Sequence, residues 1–127
     1  MGTRSNIAYE LPDGTVREIY CHWDGYRSYN GRILFHHYNS AELADELTRL
    51  GNISALKETV AGTIAYHRDR GKDLEIKIYA NYNKWRKNGR GQRIAYIFRE
   101  GCWWDCTSDR RKVKLSANNV RKDYTNV

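Results

Sequence analysis

Asn6-Ile7-Ala8-Tyr9-Glu10-Leu11, then Pro12-Asp13-Gly14, then Thr15-Val16-Arg17-Glu18-Ile19-Tyr20-Cys21 is the stretch that decides the fold class. Two alternating runs flank three turn formers. Pro presets φ, Asp caps the turn through its side chain and Gly accepts φ > 0, so the spacing predicts a hairpin over residues 6–21.

Cys21-His22-Trp23-Asp24-Gly25-Tyr26 leaves the second strand through a Gly-containing bend. A short helix is expected from about Asn30 to Tyr38 with Ile33, Leu34 and Tyr38 inward. A second helix follows over 40–50, with Asn39 as N-cap and Glu42 as its capping-box partner. Leu43, Ala44, Leu47 and Leu50 make its buried stripe, and Gly51 suits the stop. Residues 52–58 read as a turn with Ile53 and Leu56 inward. Thr63-Ile64-Ala65-Tyr66-His67 reads as a strand ending in Arg68-Asp69-Arg70-Gly71, and Leu74, Ile76 and Ile78 alternate with Glu75, Lys77 and Tyr79 as in a half-buried strand.

After a basic loop from Lys84 to Gly91, residues 93–99 and 103–107 form a closing hairpin turned at Glu100-Gly101. Trp103 and Trp104 are adjacent, so one faces the core and the other the opposite side of the sheet. Arg110 to Leu115 can form a further strand, and the tail from about residue 116 has little apolar content and is expected to be flexible. The expectation is a single α+β domain over 1–127: an antiparallel sheet of hairpins, two consecutive helices on one face, and a basic C-terminal extension. A chain of 127 residues is long enough for one real core.

Net charge is +7, and it is segregated. Residues 1–79 hold ten Lys/Arg against eleven Asp/Glu, whereas residues 80–127 hold twelve against four. Such a field draws polyanions, which points to a phosphate-bearing partner. No run approaches the roughly 20 apolar residues that cross a bilayer, and the opening Met1-Gly2-Thr3-Arg4-Ser5-Asn6 lacks the apolar core of a secretion signal. A cytoplasmic protein without membrane contact is the expectation. Cys21, Cys102 and Cys106 are odd in number and match no zinc spacing, so neither a disulfide framework nor a metal site is assigned.

His22-Trp23-Asp24 and His67-Arg68-Asp69 each place a His two residues before an Asp at a predicted strand end. On a strand such positions share a face, and four such groups together would suit a metal or acid-base chemistry on a phosphodiester. The same residues serve strand-ending turns, so no catalytic residue and no cofactor is assigned. For binding, Arg27, Arg68, Arg70, Arg90 and Arg110 are the candidate phosphate forks. Trp23, Tyr26, Tyr66 and Trp85 are the candidate stacking rings, with His22 beside them.

Thr3-Arg4-Ser5-Asn6-Ile7, Ile19-Tyr20-Cys21-His22-Trp23-Asp24-Gly25-Tyr26 and Tyr66-His67-Arg68-Asp69-Arg70-Gly71 together resemble a family of short proteins encoded by phages and prophages. The likeness covers about the first seventy residues. It implies no enzymatic activity; by analogy with counter-defence sponges of the anti-Thoeris and anti-CBASS type, it implies a homo-oligomer that sequesters a nucleotide second messenger uncleaved. The alternatives are a nucleic-acid-binding protein using the basic third, an inhibitor of a host defence enzyme, and a metal-dependent phosphodiesterase built on the His/Asp pairs.

Overall fold

Residues 11–15 close a tight turn. Leu11 N–H donates to Thr15 O at 2.8 Å and Gly14 N–H to Leu11 O at 2.9 Å, Gly14 adopts φ 90°, and Asp13 Oδ1 accepts from both the amide and the hydroxyl of Thr15. The turn joins β1 (Ser5–Glu10) to β2 (Val16–Cys21), which pair antiparallel with Ile7 opposite Ile19. The computed structural model describes residues 3–88, 94–108 and 111–121.

A π-helical turn (Arg27–Gly31) leads into α1 (Arg32–His37), and α2 (Ala41–Thr48) follows. Ser40, not Asn39, caps α2, its hydroxyl accepting from Leu43 N–H at 3.2 Å. Leu43 consequently points outward, 37% exposed, and the buried stripe is Ala44, Leu47 and Thr48. Short strands β3 (Ile53–Ala55) and β4 (Ile64–Ala65) come next, then α3 (Tyr66–Arg70), β5 (Lys77–Tyr79), α4 (Tyr82–Asn88), β6 (Ile94–Arg99), β7 (Cys102–Asp105) and β8 (Val113–Lys114).

The chain is α+β, and among the described residues eight strands form one mixed sheet in the order β4-β3-β2-β1-β6-β7-β8, with β5 also on β2. The expected all-antiparallel sheet is corrected at two places: β1 runs parallel to β6, and β2 parallel to β3. Both parallel partners arrive after long connections that contain helices, as parallel pairing requires.

Helices cover both faces. One face packs Ile7, Ile19, Cys21, Tyr96, Phe98 and Trp103 against Leu34, Tyr38, Ala44 and Leu47 of the α1–α2 segment. The other sets Ala8, Val16, Ala95, Ile97 and Cys106 against Trp85. The first part of the segment read as a basic loop, Lys84 to Asn88, thus belongs to α4, started by Asn81, whose Oδ1 accepts from Lys84 N–H at 2.8 Å. Trp103 lies in the core, and Trp104 on the other face lies under Lys112, 4.4 Å from its ring centroid.

Three further expectations change. Tyr66–Arg70 is a helical turn ended by Gly71 at φ 67°, because Gly71 N–H bonds back to His67 O. Leu74 and Ile78 stand 51% and 61% exposed, with only Ile76 packed on the core. The start of the tail is held rather than loose, since Val120 is fully buried and Ser116 and Asn119 exchange side-chain to backbone hydrogen bonds.

Candidate functional site

Beyond Cys21 the chain keeps pairing with the β3 segment, His22 N–H to Ile53 O at 3.2 Å and Trp23 N–H to Ser54 O at 3.0 Å. Asp24 then turns through φ 59°, and Gly25 N–H bonds Thr3 O at 2.8 Å. Gly25 packs too closely for any side chain: a Cβ there would lie 2.8 Å from Thr3 O and 2.9 Å from Ser5 Cβ. Asn30, 1% exposed, clamps the loop from inside. Its amide donates to Trp23 O at 3.0 Å and reaches Ser5 Oγ and Cys21 Sγ at 3.4 Å.

With its backbone held inward, this loop spends its rings on solvent. Trp23, Tyr26 and Tyr29 are 41%, 46% and 47% exposed, three large rings within seven residues. Exposed aromatic faces are the kind of surface on which a base can stack. His22 meets the Trp23 ring edge-on at 4.7 Å, and its Nδ1 lies 2.6 Å from the Tyr20 hydroxyl.

Tyr20 leads from this ledge into a hollow of about 490 Å³ beside the outer edge of β2, in the gap between its pairing with β5 and its pairing with β3. Asn6, Glu18, Tyr20, Asn52, Glu75 and Lys77 supply its polar lining. Asn52 closes the gap, its Oδ1 accepting from Tyr20 N–H at 2.9 Å. Ligand pockets of roughly 300–1,000 Å³ with a few convergent polar groups are usual for small molecules.

Glu18 is 3% exposed, yet its carboxylate is well solvated by protein. Oε1 accepts from Asn6 Nδ2 at 3.2 Å and Trp85 Nε1 at 2.8 Å, and Oε2 accepts from the Tyr79 hydroxyl at 3.3 Å. Burial, reinforced by the Glu18 charge, pushes the Tyr79 phenol up to about 12.

Several candidate residues have structural duties instead. Trp85 is fully buried and so offers no face for stacking, and its indole N–H is bonded to Glu18. Arg27 is bound to the buried Asp105 through Nε and Nη2, each at 3.0 Å. Arg68 grips both Asp69 oxygens and the Val60 carbonyl. That contact, with Ala65 N–H, holds the Asp69 carboxyl down to about 2. Arg70 lies over the half-buried Tyr66 ring at 5.4 Å. Arg90 and Arg110 fall outside the described residues.

The two His-x-Asp segments do not face each other as strand ends. Cys21, Ile53 and Ala65 stand in one row across three strands, and the chain leaves that row in opposite directions, Trp23 alongside Ser54 and Tyr66 alongside Asn52. His67 Nδ1 lies 2.8 Å from Lys72 O, and the helical turn of α3 ends the same-face relation of His67 and Asp69. Among the described residues no three His, Cys, Asp or Glu side chains gather as a metal-binding group. The three cysteines are free thiols, and burial pushes Cys21 up to about 11.

His22 and Trp23 therefore touch and Tyr20 joins them unannounced, leading to Asn6, Glu18 and Asn52 around the hollow, while Tyr26 and Tyr29 stand exposed on the same loop. Tyr29 alone carried a local signal, as a third ring in the same loop. No protein-family model, curated protein or solved structure matches the chain.

Proposed function

We propose that this protein captures a nucleotide and holds it without turning it over, the base stacking on the Trp23-Tyr26-Tyr29 ledge. The observation that carries this is the contact chain Trp23–His22–Tyr20, which joins an exposed aromatic platform to a polar hollow. Glu75 and the Tyr20 hydroxyl suit the N–H and hydroxyl groups of a base edge or a ribose, and Lys77 suits a phosphate at the rim. The acidic lining argues for phosphates held outside the hollow, where the basic C-terminal third supplies a favourable field. In the setting implied by the resemblance to short phage and prophage proteins, the ligand is an immune second messenger, a cyclic oligonucleotide or a cyclic ADP-ribose isomer.

Incubation with a panel of such nucleotides, thermal-shift screening, and chromatography after heat release tests this. One ligand that raises the melting temperature and is recovered intact is the expected result. Recovery of a cleaved product makes the protein an enzyme. Silence across the panel, with salt-sensitive retention of oligonucleotides, makes it a nucleic-acid binder.

A further inference from the structure

The β5 segment is an unguarded edge of the sheet. β5 pairs with β2 on one side, and among the described residues no strand pairs with its other side. Leu74 and Ile78 on this segment are two of only six large apolar side chains exposed among the described residues. Open, apolar edges are sites of strand addition unless something blunts them. Asn52 N–H donates to Glu75 O on the inner side at 3.0 Å. β5 itself spans Lys77–Tyr79; carried back through Glu75, whose carbonyl faces inward, the alternation turns the main-chain groups of Leu74, Ile76 and Ile78 toward the open side.

We propose that this edge pairs antiparallel with the same edge of a second copy, about a two-fold axis through Ile76. A two-fold axis normal to a continuous sheet keeps each face on one side in both copies, so only residues of equal parity can stand opposite one another. Centred on Ile76, the register sets Leu74 against Ile78 and Glu75 against Lys77, each pair formed twice. Apolar residues meet apolar, and opposite charges meet. One register earlier sets Glu75 against itself, and one later sets Lys77 against itself, so cross-strand charge favours this alignment over both neighbours. The segment Leu74-Glu75-Ile76-Lys77-Ile78 is self-complementary only in this antiparallel alignment. The inference stands on the edge alone and does not need the nucleotide reading.

Native mass spectrometry and sedimentation equilibrium of the full chain across a concentration series test it without ligand. The wild type is expected to reach twice the chain mass. Glu75→Lys and Lys77→Glu each place like charges opposite and weaken self-association about tenfold or more, while the E75K/K77E double variant restores it. Ile78→Ser, at a side chain exposed in the single chain, weakens association while leaving the far-ultraviolet spectrum in place. A monomer at every concentration overturns the proposal, as does a dimer indifferent to the single reversals or a double variant that fails to recover. A monomer whose β5 edge captures an unrelated extended peptide overturns it as well.

Discussion

The indole N–H of Trp85 donates to Glu18 at 2.8 Å, and both side chains are buried. This one bond fastens α4 to the middle of the sheet and converts a ring that sequence placed among the stacking candidates into an internal strut. A carboxylate withdrawn from water needs donors, and Asn6, Trp85 and Tyr79 provide them.

Trp85→Phe keeps most of the ring but deletes the donor, leaving part of a buried charge unanswered. The expected loss is about 1–3 kcal/mol, read as a lower urea midpoint with an unchanged slope. A midpoint equal to wild type would show that the Glu18 carboxylate does not depend on this donor.

Alkaline pH should unfold the protein through its phenols. Tyr79 titrates at about 12 when folded against 10.0 ordinarily, so the folded state favours its neutral form. Its contribution is fully present below pH 10 and fades as the pH climbs through about 12, because only the unfolded chain releases the proton early. Tyr38, Tyr82 and Tyr96 are raised too, each chiefly by burial. Absorbance titration near 295 nm should show late phenols that titrate together with unfolding, and Tyr79→Phe should reduce the steepness of that loss. Early, reversible titration of every tyrosine would refute the assignment.

The ledge and the neighbouring arginine should separate binding from stability. Trp23→Ala and Tyr26→Ala are expected to weaken a bound nucleotide by about 1–3 kcal/mol each, roughly 5- to 150-fold, with little change in melting temperature. Arg27→Ala should do the reverse. It strips the charged partner from Asp105, which is 6% exposed and among the described residues keeps only the Thr107 amide and hydroxyl as donors, and should cost about 3 kcal/mol of folding free energy. Calorimetric binding set beside thermal melts decides between the two behaviours, and an affinity untouched by both ring deletions would remove the ledge from the site.

Gly25→Ala tests how the ledge is mounted. The added methyl would meet the Thr3 and Arg4 carbonyls and Ser5 Cβ at 2.8–3.0 Å, two of them backbone atoms that cannot swing aside. A loss of about 1–3 kcal/mol is expected, with faster amide exchange at the start of β1. Full stability in this variant would mean that the Gly25–Thr3 contact is dispensable.

Local chemistry made part of this protein readable from its residues. Pro12-Asp13-Gly14 specified the hairpin because every bond of that turn lies within five residues. The helix after Ser40 was legible for the same reason, though a cap one residue late turned Leu43 outward. The crowding of rings after Cys21 marked the ledge, and the charge division between residues 1–79 and 80–127 is a property of composition alone.

Tertiary structure decided the rest. Which strands run parallel, that Arg27 answers Asp105 and Trp85 answers Glu18, and that Asn6, Glu18 and Asn52 border one hollow all depend on partners 12 to 89 positions apart in the chain. An arginine or tryptophan reads the same in sequence whether it faces solvent or a buried carboxylate. Its role follows from desolvation and from the geometry of the groups that meet it, and those exist only once distant strands have been brought side by side.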